Sequence, residues 1–138
     1  MHASVAVEEK ELLRSIPAAR VALIERIARA ASGSAGRKEL QQRFLRAYFH
    51  GVAEEDLAER PPRQLARAAL AHLDSGAHRP AGRTLVRVFN PDVRRDGFES
   101  RHTLVLTVTE DMPFLVDSLG MAFARAELAV HLIVHPVL

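Results

Sequence analysis

The fold is decided by the stretch Glu110-Asp111-Met112-Pro113-Phe114-Leu115-Val116-Asp117-Ser118-Leu119. Before it, Leu104, Leu106 and Val108 alternate with Val105, Thr107 and Thr109, the period of two that predicts a strand over residues 103–109. After it, Leu115, Leu119, Ala122, Phe123 and Ala126 recur at three- and four-residue steps, which predicts a helix from Pro113 to about Leu128. The junction has a mechanical reading. Asp111 is placed to cap the free N–H groups of the helix at its positive dipole end. Pro113 suits the first helical turn, and Phe114 and Leu115 can fold back onto the strand. Ala129 to Val134 is again β-rich and is halted by Pro136. Strand, helix and strand in this order close right-handed whenever the strands are parallel, with the helix on one face of the sheet.

Moving towards the N-terminus, Thr84 to Phe89 reads as another strand, ended by the turn signal Asn90-Pro91, and residues 92–100 form a polar connection with Gly97 at its tip. The composition changes near residue 80. Before that point Ala, Leu and Arg dominate with apolar residues at helical spacing: a short helix through Val5, Leu12, Leu13 and Ile16, then one opened by Pro17 with Val21, Ile24, Ile27 and Ala28 on one face. Ser32-Gly33-Ser34-Ala35-Gly36 is a break. A helix over about Lys38–His50 is expected to bury Leu40, Phe44, Leu45 and Tyr48, and Pro62 opens the next, lined by Leu65, Ala69, Leu70 and Leu73. The fold class is therefore α+β. A helical segment over residues 1–80 precedes a ββαβ unit over residues 81–138 with one helix packed on a small sheet. The strands are apolar on both faces, so a second cover is expected, from the N-terminal helices or another subunit. The sequence ends just after a strand, which predicts a sheet edge completed by further chain or by subunit pairing.

Composition narrows the function. The 138 residues include 19 basic and 17 acidic side chains, too even a balance to create a field for nucleic acid or an anionic membrane. There is no cysteine, hence no thiolate metal site and no cysteine nucleophile. No long apolar run opens the chain, and a cytoplasmic setting is the simplest expectation.

The loop at Asp111–Phe114 resembles the strand–loop–helix opening of ACT domains, in which an acidic residue and a proline precede an apolar helix. Those domains usually carry glycine after the proline; Phe114 stands there in this sequence, where a bulky side chain intrudes on the space an amino-acid ligand would take. A longer resemblance covers roughly residues 40–138. Arg87-Val88-Phe89-Asn90-Pro91, Asp111 to Ser118, and Val130-His131-Leu132-Ile133-Val134-His135-Pro136-Val137-Leu138 are similar to the N-terminal region of the large bacterial NAD-specific glutamate dehydrogenases, as are Tyr48-Phe49-His50-Gly51-Val52 and Glu55 to Arg60. This resemblance implies a partial ACT-like, ferredoxin-like unit at the front of an oligomeric enzyme that interconverts glutamate and 2-oxoglutarate using NAD. Its implied partners are the remaining domains of the parent chain, the other subunits of a homo-oligomer and an amino-acid effector. The alternative is a free-standing ACT-type module for amino-acid sensing or protein interaction.

Catalysis is not expected here. No G-x-G-x-x-G occurs: Gly33 and Gly36 fall between helices and Gly120 stands alone in one. The resemblance implies catalytic lysines, but only Lys10 and Lys38 are present, both in the helical lead-in. No catalytic, cofactor-binding or metal residue is therefore assigned, and NAD belongs to the parent enzyme. His131 and His135, four apart on a strand, would lie roughly 13 Å apart, too far to share one zinc. Asp111 and Asp117 read as helix-end residues rather than an acid/base pair, and Ser118 has no triad partners. Phe44, Tyr48 and Phe49 read as packing, and Arg87, Arg94, Arg95 and Arg101 as a solvated basic surface. The one candidate site is an effector or interface loop: Asp111, Met112, Pro113 and Phe114.

Overall fold

A computed structural model describes residues 18–137. The expected helix through Val5–Ile16 and the helix-opening Pro17 lie outside the described residues. The chain divides into two compact units, one ending at Ala66 and the other beginning at Arg67. No helix among the described residues is long and apolar enough to cross a membrane.

The first unit is helical. Helix α1 covers residues 18–28, α2 Ala35–Phe49 and α3 Glu54–Ala58, and α4 (Pro62–Ala77) begins here. The apolar stripe of α1 is as expected at Ile24, Ile27 and Ala28, all buried, while Val21 is exposed. The break before α2 is shorter than its composition suggests, because Ala35 and Gly36 already belong to the helix. Gly33 makes the turn at φ 116°, a backbone conformation that side chains rarely adopt.

In α2 the buried residues are Leu45, Tyr48 and Phe49. Leu40, expected in the core, is 66% exposed. The phase explains this: at 100° per residue Leu40 lies about 140° around the helix from Leu45. Glu25 and Arg46 join α1 to α2 through two bonds of 2.7 and 3.1 Å. The Ser32 N–H donates to Gln41 Oε1 at 3.2 Å. Helix α3 opens on Glu54, Glu55 and Asp56, which suit its positive end, and buries Leu57. Pro62 starts α4 as expected; Leu65, Ala66 and Ala69 are buried, but Leu73 is exposed.

The second unit is built on a hairpin. Strands β1 (Leu85–Phe89) and β2 (Leu104–Val108) pair antiparallel, with Leu85 opposite Val108 and Phe89 opposite Leu104. Side-chain bonds fasten both ends: Thr84 and Thr109 hydroxyls lie 2.8 Å apart, and Thr103 Oγ1 donates to Asn90 Oδ1 at 2.6 Å. One face carries Leu85, Phe89, Leu104, Leu106 and Val108, of which Leu106 is buried. The later turns of α4 meet the end of β2: His72 Nε2–H donates to the Thr107 carbonyl at 2.9 Å, and a Cβ built on Gly76 would lie 3.7 Å from Val108.

The strands are linked through α5 (Val93–Asp96), a single turn with a reciprocal cap. Asp92 Oδ1 accepts from the Arg94 and Arg95 N–H groups at 2.9 and 3.2 Å, while the Asp92 N–H donates to Asp96 Oδ2 at 2.8 Å. Gly97 closes the turn in the left-handed region, and Phe98 is buried.

Helix α6 (Leu115–Arg125) confirms the coil after Asp111, but it starts later than expected and buries none of its residues. Its end is a Schellman turn: the Leu128 N–H bonds the Phe123 carbonyl and the Glu127 N–H the Ala124 carbonyl, each at 3.0 Å, with Glu127 at φ 57°. The α+β class holds, with a two-stranded sheet among the described residues. The strand expected at Ala129–Val134 is not part of that sheet. Residues 131–137 alternate between exposed and half-buried positions but carry no assigned strand.

Candidate functional site

The loop between β2 and α6 holds the four residues singled out from sequence, and all four are exposed. Asp111 does not cap the helix. Phe114 occupies the N-cap position, no side chain caps α6, and Pro113 precedes the first turn instead of lying within it. Phe114 has φ 62° and ψ 15°, a left-handed conformation that disfavours side chains, and its ring is 76% exposed. Its carbonyl accepts the Ser118 N–H at 2.9 Å, so the strained residue is the one that launches the helix. At the start of the loop Glu110 pairs with Arg79 at 3.1 Å, and Arg79 also donates to the Arg83 carbonyl at 2.8 Å. With Met112 and Phe114 both open to solvent, the loop presents an apolar knob.

The second face of the hairpin, for which a cover is expected from its apolar residues, carries a further exposed apolar surface. Val86, Val88 and Val105 share the second face of the hairpin, and the first two are 60% and 62% exposed. Thr84–Thr109 and Asn90–Thr103 bound that face at its two ends, which gives an apolar centre with a polar border. The signal was present in the alternation of β1 and β2, whose apolar residues fall on both faces.

The other candidates resolve by geometry. The His131 ring stacks on His102, with centroids 4.1 Å apart and planes at 24°. No group of three potential metal ligands forms among the described residues. Asp111 and Asp117 are exposed, as are Ser118 and Lys38, and Lys10 lies outside the described residues. Two of the four arginines are committed to the connection after β1. The Arg87 guanidinium sits 4.0 Å over the Phe89 ring and 3.5 Å from Asp96; Arg95 binds Asp96 at 3.0 Å and the Asn90 carbonyl at 2.7 Å. The Arg95 hydrogen bond, helped by the Asp92 N–H, holds the Asp96 carboxyl below its ordinary range. The aromatic group is packing: Tyr48 lies 5.4 Å from Phe44 and 4.9 Å from Phe49, and burial pushes its hydroxyl up to about 12.

Residues 44–138 match the family model described as glutamate dehydrogenase, ACT1 domain. The chain belongs to this glutamate dehydrogenase ACT1 family. The ACT1 match begins at Phe44 inside α2, so it takes in the aromatic group, the whole hairpin, the Asp111–Phe114 loop and α6. The ACT1 chain is 37% identical over 95 residues to the NAD-specific glutamate dehydrogenase of Halomonas elongata, covering 69% of this chain and 6% of that relative. It is 46% identical over 46 residues to the NAD-specific glutamate dehydrogenase of Pseudomonas aeruginosa, covering 33% of this chain and 3% of that one. The ACT1 chain thus spans a small part of the length of these relatives. No solved structure matches it.

Proposed function

We propose that this ACT1 chain is the N-terminal regulatory and assembly region of an NAD-dependent glutamate dehydrogenase. The reaction itself, L-glutamate, NAD and water to 2-oxoglutarate, ammonia and NADH, is carried by other domains of the parent chain. Membership of the ACT1 family and the similarity to two NAD-specific glutamate dehydrogenases support the parent activity. One observation supports the assembly role. Eleven of the buried apolar residues among the described ones, from Ile24 to Ala66, lie in the first unit, and only Ala69, Phe98 and Leu106 in the second. The exposed large apolar residues have the reverse distribution, with Val21 and Leu40 in the first unit and the rest, from Leu73 to Val137, in the second. A unit with its apolar surface turned outward is suited to being covered by other parts of an assembly.

The test is Val88→Asp in the full-length dehydrogenase, because Val88 sits at the centre of the open sheet face. Its subunit assembly by sedimentation or its response to amino-acid effectors is expected to change, with substrate KM unaltered. Wild-type assembly and effector response in that variant would refute the proposal. So would NAD reduction with glutamate by the isolated chain.

A further inference from the structure

Helix α6 has two distinct sides. At 100° per residue, Leu115, Val116, Leu119 and Phe123 group on one side, and all are half-buried except Leu119, which is just on the exposed side of that range. Asp117, Met121 and Arg125 fall within an arc of about 80° on the other side, with Phe114 and Ala124 inside or beside it. Every one of these five is exposed, Met121 at 56%. Neither the Asp117 nor the Arg125 side chain makes a hydrogen bond or ion pair among the described residues.

We infer that this face pairs antiparallel with the same face of a second copy of the chain, about a two-fold axis at Met121. The inference deepens the assembly reading above by naming its surface and partner. Charge pattern selects both. Asp117 and Arg125 lie four residues either side of Met121, each about 6 Å along the axis from it. In an antiparallel pair Asp117 of one copy therefore stands opposite Arg125 of the other, twice, with the two Met121 side chains between them. A parallel pair would set Asp against Asp and Arg against Arg. Antiparallel pairing also aligns the two helix dipoles favourably. Ala124, beside Met121, leaves room for the axes to approach to the usual 8–10 Å or so. An acid in the first turn and a base in the last also suit an isolated helix, but that reading leaves Met121 and the Phe114 ring without a role. A helix of 11 residues is about 16 Å long, so its contact falls short of the roughly 800 Å² per partner of a standard interface, and the association is weak and concentration-dependent.

The experiment is sedimentation equilibrium of the 138-residue chain over a concentration series, with circular dichroism to verify folding. Wild type is expected to show a monomer–dimer equilibrium. Asp117→Arg alone and Arg125→Asp alone are each expected to associate at least roughly tenfold more weakly, because attractive contacts become repulsive. An equimolar mixture of the two variants should recover association, since one copy then carries two positive and the other two negative positions. A mixture no better than its components overturns the pairing. If wild type associates and both single variants do so equally well, the helix pairing fails while assembly through another surface stands. A wild type that is monomeric throughout overturns the pairing, while the assembly reading is decided separately by Val88→Asp in the full-length enzyme.

Discussion

Tyr48 is the only tyrosine, and the chain has no tryptophan, so tyrosinate absorbance in the near ultraviolet reports one buried group. Its ring lies among Phe44 and Phe49, and burial moves its ionisation from 10.0 to about 12. Desolvation acts on the charged form, so the folded chain keeps the proton where the unfolded chain gives it up. The stabilisation is complete below about pH 10, the unfolded value, and is lost as pH rises towards 12. A shift of about two units corresponds to roughly 2.7 kcal/mol at most. Absorbance titration with circular dichroism in parallel is expected to show no tyrosinate near pH 10 while the helices persist, then ionisation near pH 12 or together with unfolding. Between pH 9 and 11 the urea midpoint should fall in wild type. In Tyr48→Phe that part of the fall should vanish. A midpoint near 10 in a chain that is still helical would refute the burial argument.

Other expected outcomes follow from single contacts. Phe49→Ala, which empties a fully buried position in α2, should cost about 3–5 kcal/mol by urea denaturation. Asp92→Ala removes the acceptor for two backbone N–H groups of α5 and should cost about 1 kcal/mol in the same assay. Glu127→Gly should stabilise by up to about 1 kcal/mol, because it relieves a left-handed residue at the end of α6. His72→Ala leaves the Thr107 carbonyl without its α4 donor and should speed hydrogen exchange in β2, with exchange in α2 unchanged.

The parts legible in the sequence were those set by short-range rules. Alternation gave β2, a β-rich run ended by the Asn90-Pro91 turn signal gave β1, proline chemistry gave the start of α4, and three- and four-residue spacing gave α6. What escaped was set by tertiary context. Val130, Ile133 and Val134 have strand-forming side chains, but a strand also needs an edge, and at Thr107 the β2 carbonyl is taken by His72 from a helix distant in sequence. Asp111 had the chemistry of a cap, yet the helix begins beyond its reach, after a phenylalanine in a conformation that local rules reserve for glycine or asparagine. Leu40 and Leu73 were assigned to the core because periodicity marks an apolar face without fixing which of its edges meets a neighbour. The candidate loop was found from its motif; the open face of Val86, Val88 and Val105 was visible only as apolar residues on both sides of the strands, and its exposure required the fold.

That exposure has a thermodynamic consequence. A two-stranded hairpin is marginal by itself, and here it is supported by α4 through His72 and Gly76, while α6 buries none of its residues. Burying an aliphatic or phenyl side chain fully contributes about 1.5–3 kcal/mol, so covering Val86, Val88, Met121 and Phe114 would add several kcal/mol to the stability of the folded unit. Anything that binds the folded form and not the unfolded one shifts the equilibrium by mass action. Folding of the second unit and occupation of its surfaces are therefore linked, and a change in what covers it alters its order. Under the regulatory role we propose, the unit would pass on a change of state through the differential stability of its covered and uncovered forms.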